Sequence, residues 1–236
     1  MNDSHLLIGG KTLTGGGRDD AEVLDPATGE TVGRVTHATP ADLDHALDAA
    51  EKGFKALQIP AWDARLFDVA KAANSQAYCD EIKATLAEYG LQISELTSHI
   101  YGQLVAVHPA YDALWDAFTP AHLLGRPQAR SEWAIEQMKL AVRASARLGL
   151  SELGTFSGSL AWPYLFPFPQ RPEGLIDAAF NELAKRWRPI LDLCDELDVN
   201  LCYEIHPAED LHDGTSFERF LALVDHHPRC NILFDP

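Results

Sequence analysis

The sequence predicts an α/β fold with a parallel sheet, and three observations lead there. From about residue 56 onward, short apolar runs of strand length alternate with long stretches of helical periodicity. The stretches between the runs are too long for hairpins, and parallel neighbours need crossovers of that length. Two of the runs end in a carboxylate, Glu204 and Asp235, at the end of the strand where a parallel sheet carries its site.

The first 57 residues have a different texture. Leu6-Leu7-Ile8 is followed by Gly9-Gly10, and Gly15-Gly16-Gly17 reads as a turn. Two alternating runs flank Asp25-Pro26-Ala27-Thr28-Gly29-Glu30, whose turn chemistry predicts a hairpin. Thr39 suits a helix N-cap, Pro40 the first helical position, and Asp42 can accept from free amides. Leu43, Ala46, Leu47, Ala50 and Phe54 then share one helical face, so a helix is expected over 41–54.

The second part, 58–236, carries the α/β pattern. Strands are expected at 56–62, 91–99, 152–157, 200–206 and 231–235, and helices at 64–89, 131–148 and 175–197. Counted as a (β/α) barrel, this is about five strands of the usual eight, an incomplete barrel. The last run reaches Asp235-Pro236 with no helix after it. Open sheet edges are therefore expected, and with them a homo-oligomer formed through those edges.

Composition narrows the function. Of the 236 residues 46% are hydrophobic and 23% charged, enough apolar material for a core. The formal charge of −16 disfavours a nucleic acid partner and an anionic membrane surface. It argues likewise against a nuclease. No stretch approaches the roughly 20 apolar residues of a membrane span, and no secretory leader is visible. Cys79, Cys194, Cys202 and Cys230 form no Cys-x-x-Cys pair and read as reduced thiols, so a cytoplasmic home is expected.

The run Asn200-Leu201-Cys202-Tyr203-Glu204-Ile205-His206-Pro207 is the most informative. With a period of two, Leu201, Tyr203 and Ile205 share one face and Cys202, Glu204 and His206 the other. A carboxylate inside an apolar strand is costly unless paired or ligating a metal, which singles out Glu204. Asn231-Ile232-Leu233-Phe234-Asp235 repeats the pattern. Two carboxylates on successive strands suit a hard divalent cation. His99, His206 and Trp162, within an aromatic, proline-stiffened loop, are candidates for binding substrate. Arg171 reads as the partner of a surface acid, and Glu209, Asp210, His212 and Asp213 as a solvated loop.

Four stretches carry a resemblance. They are Leu57-Gln58-Ile59-Pro60-Ala61-Trp62-Asp63-Ala64-Arg65, Gly102-Gln103-Leu104-Val105-Ala106-Val107-His108-Pro109-Ala110-Tyr111-Asp112, Thr155-Phe156-Ser157-Gly158 with Ala161-Trp162-Pro163-Tyr164, and Cys202-Tyr203-Glu204-Ile205-His206-Pro207. In these, residues 58–236 resemble the sugar phosphate isomerase/epimerase family of xylose isomerase-like TIM barrels. The resemblance implies a divalent metal (Mn²⁺, Mg²⁺, Co²⁺ or Zn²⁺) held by Glu204 and Asp235, with Glu204 also catalytic. The family's two later ligands, a His and a Glu, have no counterpart, nor have its first strand and helix. The implied reaction is proton transfer through an ene-diolate on a small sugar or polyol, impaired here by the missing ligands. A non-catalytic fusion fragment is the alternative.

The front segment resembles another family. Leu7-Ile8-Gly9-Gly10-Lys11, Asp25-Pro26-Ala27-Thr28-Gly29-Glu30 and the helix after Thr39 are similar to the amino-terminal segment of NAD-dependent aldehyde dehydrogenases. An interaction segment of that origin is the second alternative. Nothing matches that family's nicotinamide-binding domain or catalytic Cys.

Overall fold

The computed structural model describes residues 6–8, 11–13, 20–24, 28–36, 54–64, 66–166, 168 and 170–235. The chain divides into two compact units, Met1–Leu57 with Thr85–Gln92, and Gln58–Ala84 with Ile93–Pro236.

The first unit holds two antiparallel pairs. Strand β1 (Leu6–Ile8) pairs with β2 (Lys11–Leu13), and β3 (Asp20–Leu24) with β4 (Thr31–Thr36). The second pair is the hairpin expected around residues 25–30. Gly29 takes φ +73°, open to glycine at no steric cost, and the Glu30 amide donates to Thr28 Oγ1 at 3.3 Å. The Gly15-Gly16-Gly17 turn and nearly all of the helix expected over 41–54 lie outside the described residues.

The α/β pattern gives a five-stranded sheet in the order β5 (Ala56–Pro60), β6 (Gln92–Thr97), β7 (Glu152–Thr155), β8 (Asn200–Glu204) and β9 (Cys230–Leu233). Each strand lies beside its predecessor, and β6 to β9 are mutually parallel. This winding, in sequence order, is that of a (β/α) barrel left open, with β5 and β9 as edges.

Helices fill the connections. The single helix expected over 64–89 is two, α1 (Val69–Asn74) and α2 (Gln76–Glu88), broken at Ser75, whose backbone is extended. Asp68 starts α1 by accepting from the Lys71 amide at 2.9 Å. Then come α3 (His99–Val105), a short α4 (Asp112–Trp115), α5 (Pro127–Leu148), α6 (Leu175–Glu196) and α7 (Gly214–Leu223). Pro127 opens α5, and Gly149 closes it at φ +79°.

The core lies between the sheet and its helices. Tyr203 of β8 meets Trp187 of α6 and Phe220 of α7 edge-on, with ring centroids 5.0 and 5.4 Å away. All three are fully buried, as are Leu183, Ile190 and Leu201. The opposite face of β8, with Cys202 and Glu204, is only half-buried. The same helix-side face is bare at the edge: Ile232, the register partner of Tyr203, is 45% exposed and Phe234 82%. All four cysteines are free thiols, and three are buried. Among the described residues no helix is long and apolar enough to cross a membrane.

The Tyr203 hydroxyl is buried with no hydrogen-bond partner. An unsatisfied buried hydroxyl costs about 1–3 kcal/mol. Tyr203→Phe is therefore expected to leave stability unchanged or raise it by about 1 kcal/mol in urea unfolding. A loss of that size would show that the hydroxyl has a partner.

Candidate active site

Alternation along β8 does what the sequence implied. Leu201 and Tyr203 enter the core, and Glu204 stands at the carboxyl end on the opposite face. Strand β6 ends at Thr97, and α3 begins with His99 rather than the strand continuing through it. The Ser98 amide donates to the Gly154 carbonyl at 2.8 Å, which fixes this corner on β7. Gly102 lets α3 lie against the end of β7, since a Cβ there would run into Thr155 Oγ1 and the Phe156 carbonyl. Gly154 leaves room in the same way: a Cβ would come within 3.0 Å of Leu233 Cδ1 and 3.8 Å of His99 Cε1.

His99 and Glu204 meet at this point. His99 Nε2 lies 2.8 Å from Glu204 Oε2, and each side chain is 14% exposed. The alignment falls short of a hydrogen bond, so this buried nitrogen has none. Burial holds the imidazole below its ordinary value, against the opposing pull of the Glu204 carboxylate. The Phe156 ring packs on His99 with centroids 4.5 Å apart, and Trp62 meets it edge-on at 5.9 Å. His206 lies on Phe156 as well, at 5.0 Å. Glu204 and His99 are thus in contact, with His206 one aromatic ring away.

The other two candidates stand apart from this pair. Glu204 is in register with Leu233, where β9 ends, and Asp235 lies two residues beyond it and is exposed. Trp162 belongs to the loop after β7 and meets His212, at 5.2 Å.

The loop after β8 corrects a sequence expectation. Glu209 and Asp210 are not solvated; they are 4% and 0% exposed. Asp210 accepts from the amides of Leu160, Ala161 and Trp162 at 2.7 to 2.8 Å. Glu209 accepts from the Gly158 amide at 2.7 Å, and the Gln103 amide group, turned to donate, reaches the same carboxyl. Two adjacent acids after His206-Pro207-Ala208 look like a surface loop by residue type, and only the folded loops reveal their amide partners. Arg171 is likewise paired to no acid among the described residues: Nη1 donates to the carbonyls of Tyr164 and Leu165 at 2.6 and 3.0 Å. Asp213 does sit in a turn, where it caps α7 by accepting from Ser216.

A hard divalent cation takes carboxylate and other oxygen ligands. Carboxylates at the ends of adjacent parallel strands suit such an ion, and His99 Nε2 lies beside the first of them, Glu204. Among the described residues, however, no group of three or more His, Cys, Asp or Glu side chains is gathered as a metal site. By residue type Glu204 and Asp235 suit such an ion, but Asp235 is exposed and stands apart from the His99–Glu204 contact.

Comparison with known proteins places the chain. Residues 46–236 match the family described as Xylose isomerase-like TIM barrel, and the chain belongs to that family. A xylose isomerase domain protein from Planctomyces limnophilus shares the fold at 15% identity and a TM-score of 0.51, over 80% of this chain and 58% of that one. A probable 3-DHS dehydratase of Bacillus anthracis aligns at 14% identity and TM-score 0.49, over 80% and 55%. A D-allulose 3-epimerase from Methylomonas sp. aligns at 19% identity and TM-score 0.47, over 81% and 55%. The chain spans between half and three-fifths of the length of these structures.

Glu209 yields a pH prediction. Burial, first of all, pushes its carboxyl up to about 8, with the Asp210 charge adding to the rise and the Gly158 amide opposing it. The folded chain keeps this proton to about pH 8, whereas the unfolded chain releases it near the ordinary value of 4.5. Between these values the folded state binds more protons, so stability falls as pH rises. The unfolding free energy from urea melts is expected to drop from pH 5 to 8, by a few kcal/mol at most, on the order of the pKa difference. Glu209→Gln is expected to flatten that slope; an unchanged slope would show that Glu209 is not its source.

Proposed function

We propose that this member of the xylose isomerase-like TIM barrel family carries the carboxylate centre of a metal-dependent sugar isomerase or epimerase. The observation that carries the reading is the half-buried Glu204 against His99 at the carboxyl end of β8. That is the end where barrels of this kind hold their chemistry.

Glu204 would remove a proton from the carbon next to the carbonyl of a ketose or related polyol. His99 Nε2 lies against that carboxylate at 2.8 Å. Phe156 and Trp62, both packed on His99, exclude water from one side of the pair. Glu204 and Asp235 would hold a divalent cation. When bound, such an ion polarises the carbonyl and offsets the negative charge of the ene-diolate. Return of the proton on the opposite face gives an epimer, and return to the neighbouring carbon an isomer.

A second reading is a non-catalytic piece of the same barrel. It is favoured by the lack, among the described residues, of any gathered group of three or more His, Cys, Asp or Glu side chains. For the front segment, residues 1–57, we read an addition of the aldehyde dehydrogenase amino-terminal kind, supported by its two antiparallel strand pairs.

Solvent exchange separates the two main readings. In D₂O with Mn²⁺, the chain is expected to exchange the proton next to the carbonyl in at least one of D-fructose, D-tagatose and D-allulose, followed by NMR. Glu204→Gln is expected to slow it at least about 100-fold, the contribution typical of a positioned acid–base group. Exchange that Glu204→Gln leaves intact, or none with any of the three sugars, would favour the non-catalytic reading.

A further inference from the structure

The segments after β6, β7 and β8 line a half-open cleft of about 360 Å³, within the range of small-molecule sites. Its wall is apolar and mainly aromatic: Tyr111, Leu114, Trp115, Phe118 and Trp162. Gln103, His108 and Ser159 supply the polar groups. Trp62, whose ring meets His99, lines a neighbouring cavity of about 430 Å³ that shares Phe118. Aromatic surface thus leads from the His99–Glu204 pair to the first cavity. Neither cavity has a Lys or Arg among its lining residues.

The cleft is held in shape before any ligand arrives. Asp210 grips the Trp162 amide, and the Ser159 amide donates to the Ala106 carbonyl at 2.7 Å. His108 Nε2 contacts the Tyr164 hydroxyl. Ala208, also in the lining, takes φ +75°, a left-handed conformation that L-residues avoid. Strain of this kind persists where the surroundings over-determine the backbone, and it gathers at ligand sites. Leu114, Phe118 and Tyr111 remain 70%, 49% and 42% exposed, apolar surface that a ligand would cover.

We propose that this aromatic cleft binds a neutral ring attached to the substrate, so that a keto sugar bearing such a ring is preferred to a free or phosphorylated monosaccharide. Attribution of the ring to the substrate rests on the reading of the Glu204 centre given above. A neutral ring offers apolar faces to the aromatic wall, with a hydroxyl for Ser159. A phosphate would find no cation there, and burial of its charge would go uncompensated.

The test is calorimetric titration of the full chain with four probes: phenyl β-D-glucopyranoside, cellobiose, methyl β-D-glucopyranoside and glucose 6-phosphate. Phenyl glucoside, cellobiose or both are expected to bind at least about tenfold more tightly than the methyl glucoside. Which of them does so tells an aryl from a sugar ring. Glucose 6-phosphate is expected to bind no better than the methyl glucoside. Phe118→Ala and Leu114→Ala, both at exposed positions where the fold tolerates change, are expected to abolish the preference, and Glu204→Gln to keep it. Equal affinities, no binding of any probe, tighter binding of the phosphate, a preference that survives both alanine variants, or one lost in Glu204→Gln would each overturn the proposal. Because the readout is binding, failed proton exchange with the ring preference intact would overturn the Glu204 reading alone.

Discussion

The carboxylate of Asp210 ties the loops of the sheet's carboxyl end together. A buried charge is costly unless it is hydrogen-bonded, and Asp210 accepts from three successive amides of the loop after β7. Its own amide donates back to the Gly158 carbonyl at 2.9 Å. The loop after β8 and the loop after β7 therefore act as one piece. Trp187 of α6 joins them, donating from Nε1 to the Ser157 carbonyl at 2.8 Å. The outer helix layer, the sheet and the mouth loops are thus one connected network. Removing one partner of such a buried set leaves the rest unsatisfied, so the cost of change is large here.

Two glycines do the complementary task of making room. Gly102 brings the start of α3 against β7, and Gly154 clears the space beside His99 and Leu233. Between them they allow a histidine from one β/α corner to reach a glutamate two strands away. Neither residue touches the reacting groups as we read them, yet both decide where His99 sits.

The five strands and the helices over 131–148 and 175–197 were legible because apolar runs of strand length and helical periodicity depend on local sequence alone. The face assignment along β8 was legible for the same reason, and Tyr203 between Trp187 and Phe220 bears it out. The break at Ser75 was not, because helical periodicity continues across it. Glu209 and Asp210 were misread because their partners are backbone amides some 50 residues away, which no residue-type pattern displays. His99 was placed at the end of a strand, and α3, which it begins, needed the close approach at Gly102 to be recognised.

The claim on which the functional reading turns is that Glu204 belongs to a metal-linked centre, and thermal unfolding with and without excess Mn²⁺ tests it most directly. A ligand at about 100 times its dissociation constant stabilises the folded state by about 2.7 kcal/mol. For a chain of this size the melting temperature is expected to rise by roughly 5–10 °C, and Glu204→Ala to abolish the rise. A melt indifferent to Mn²⁺, or a rise that Glu204→Ala leaves unchanged, would contradict it.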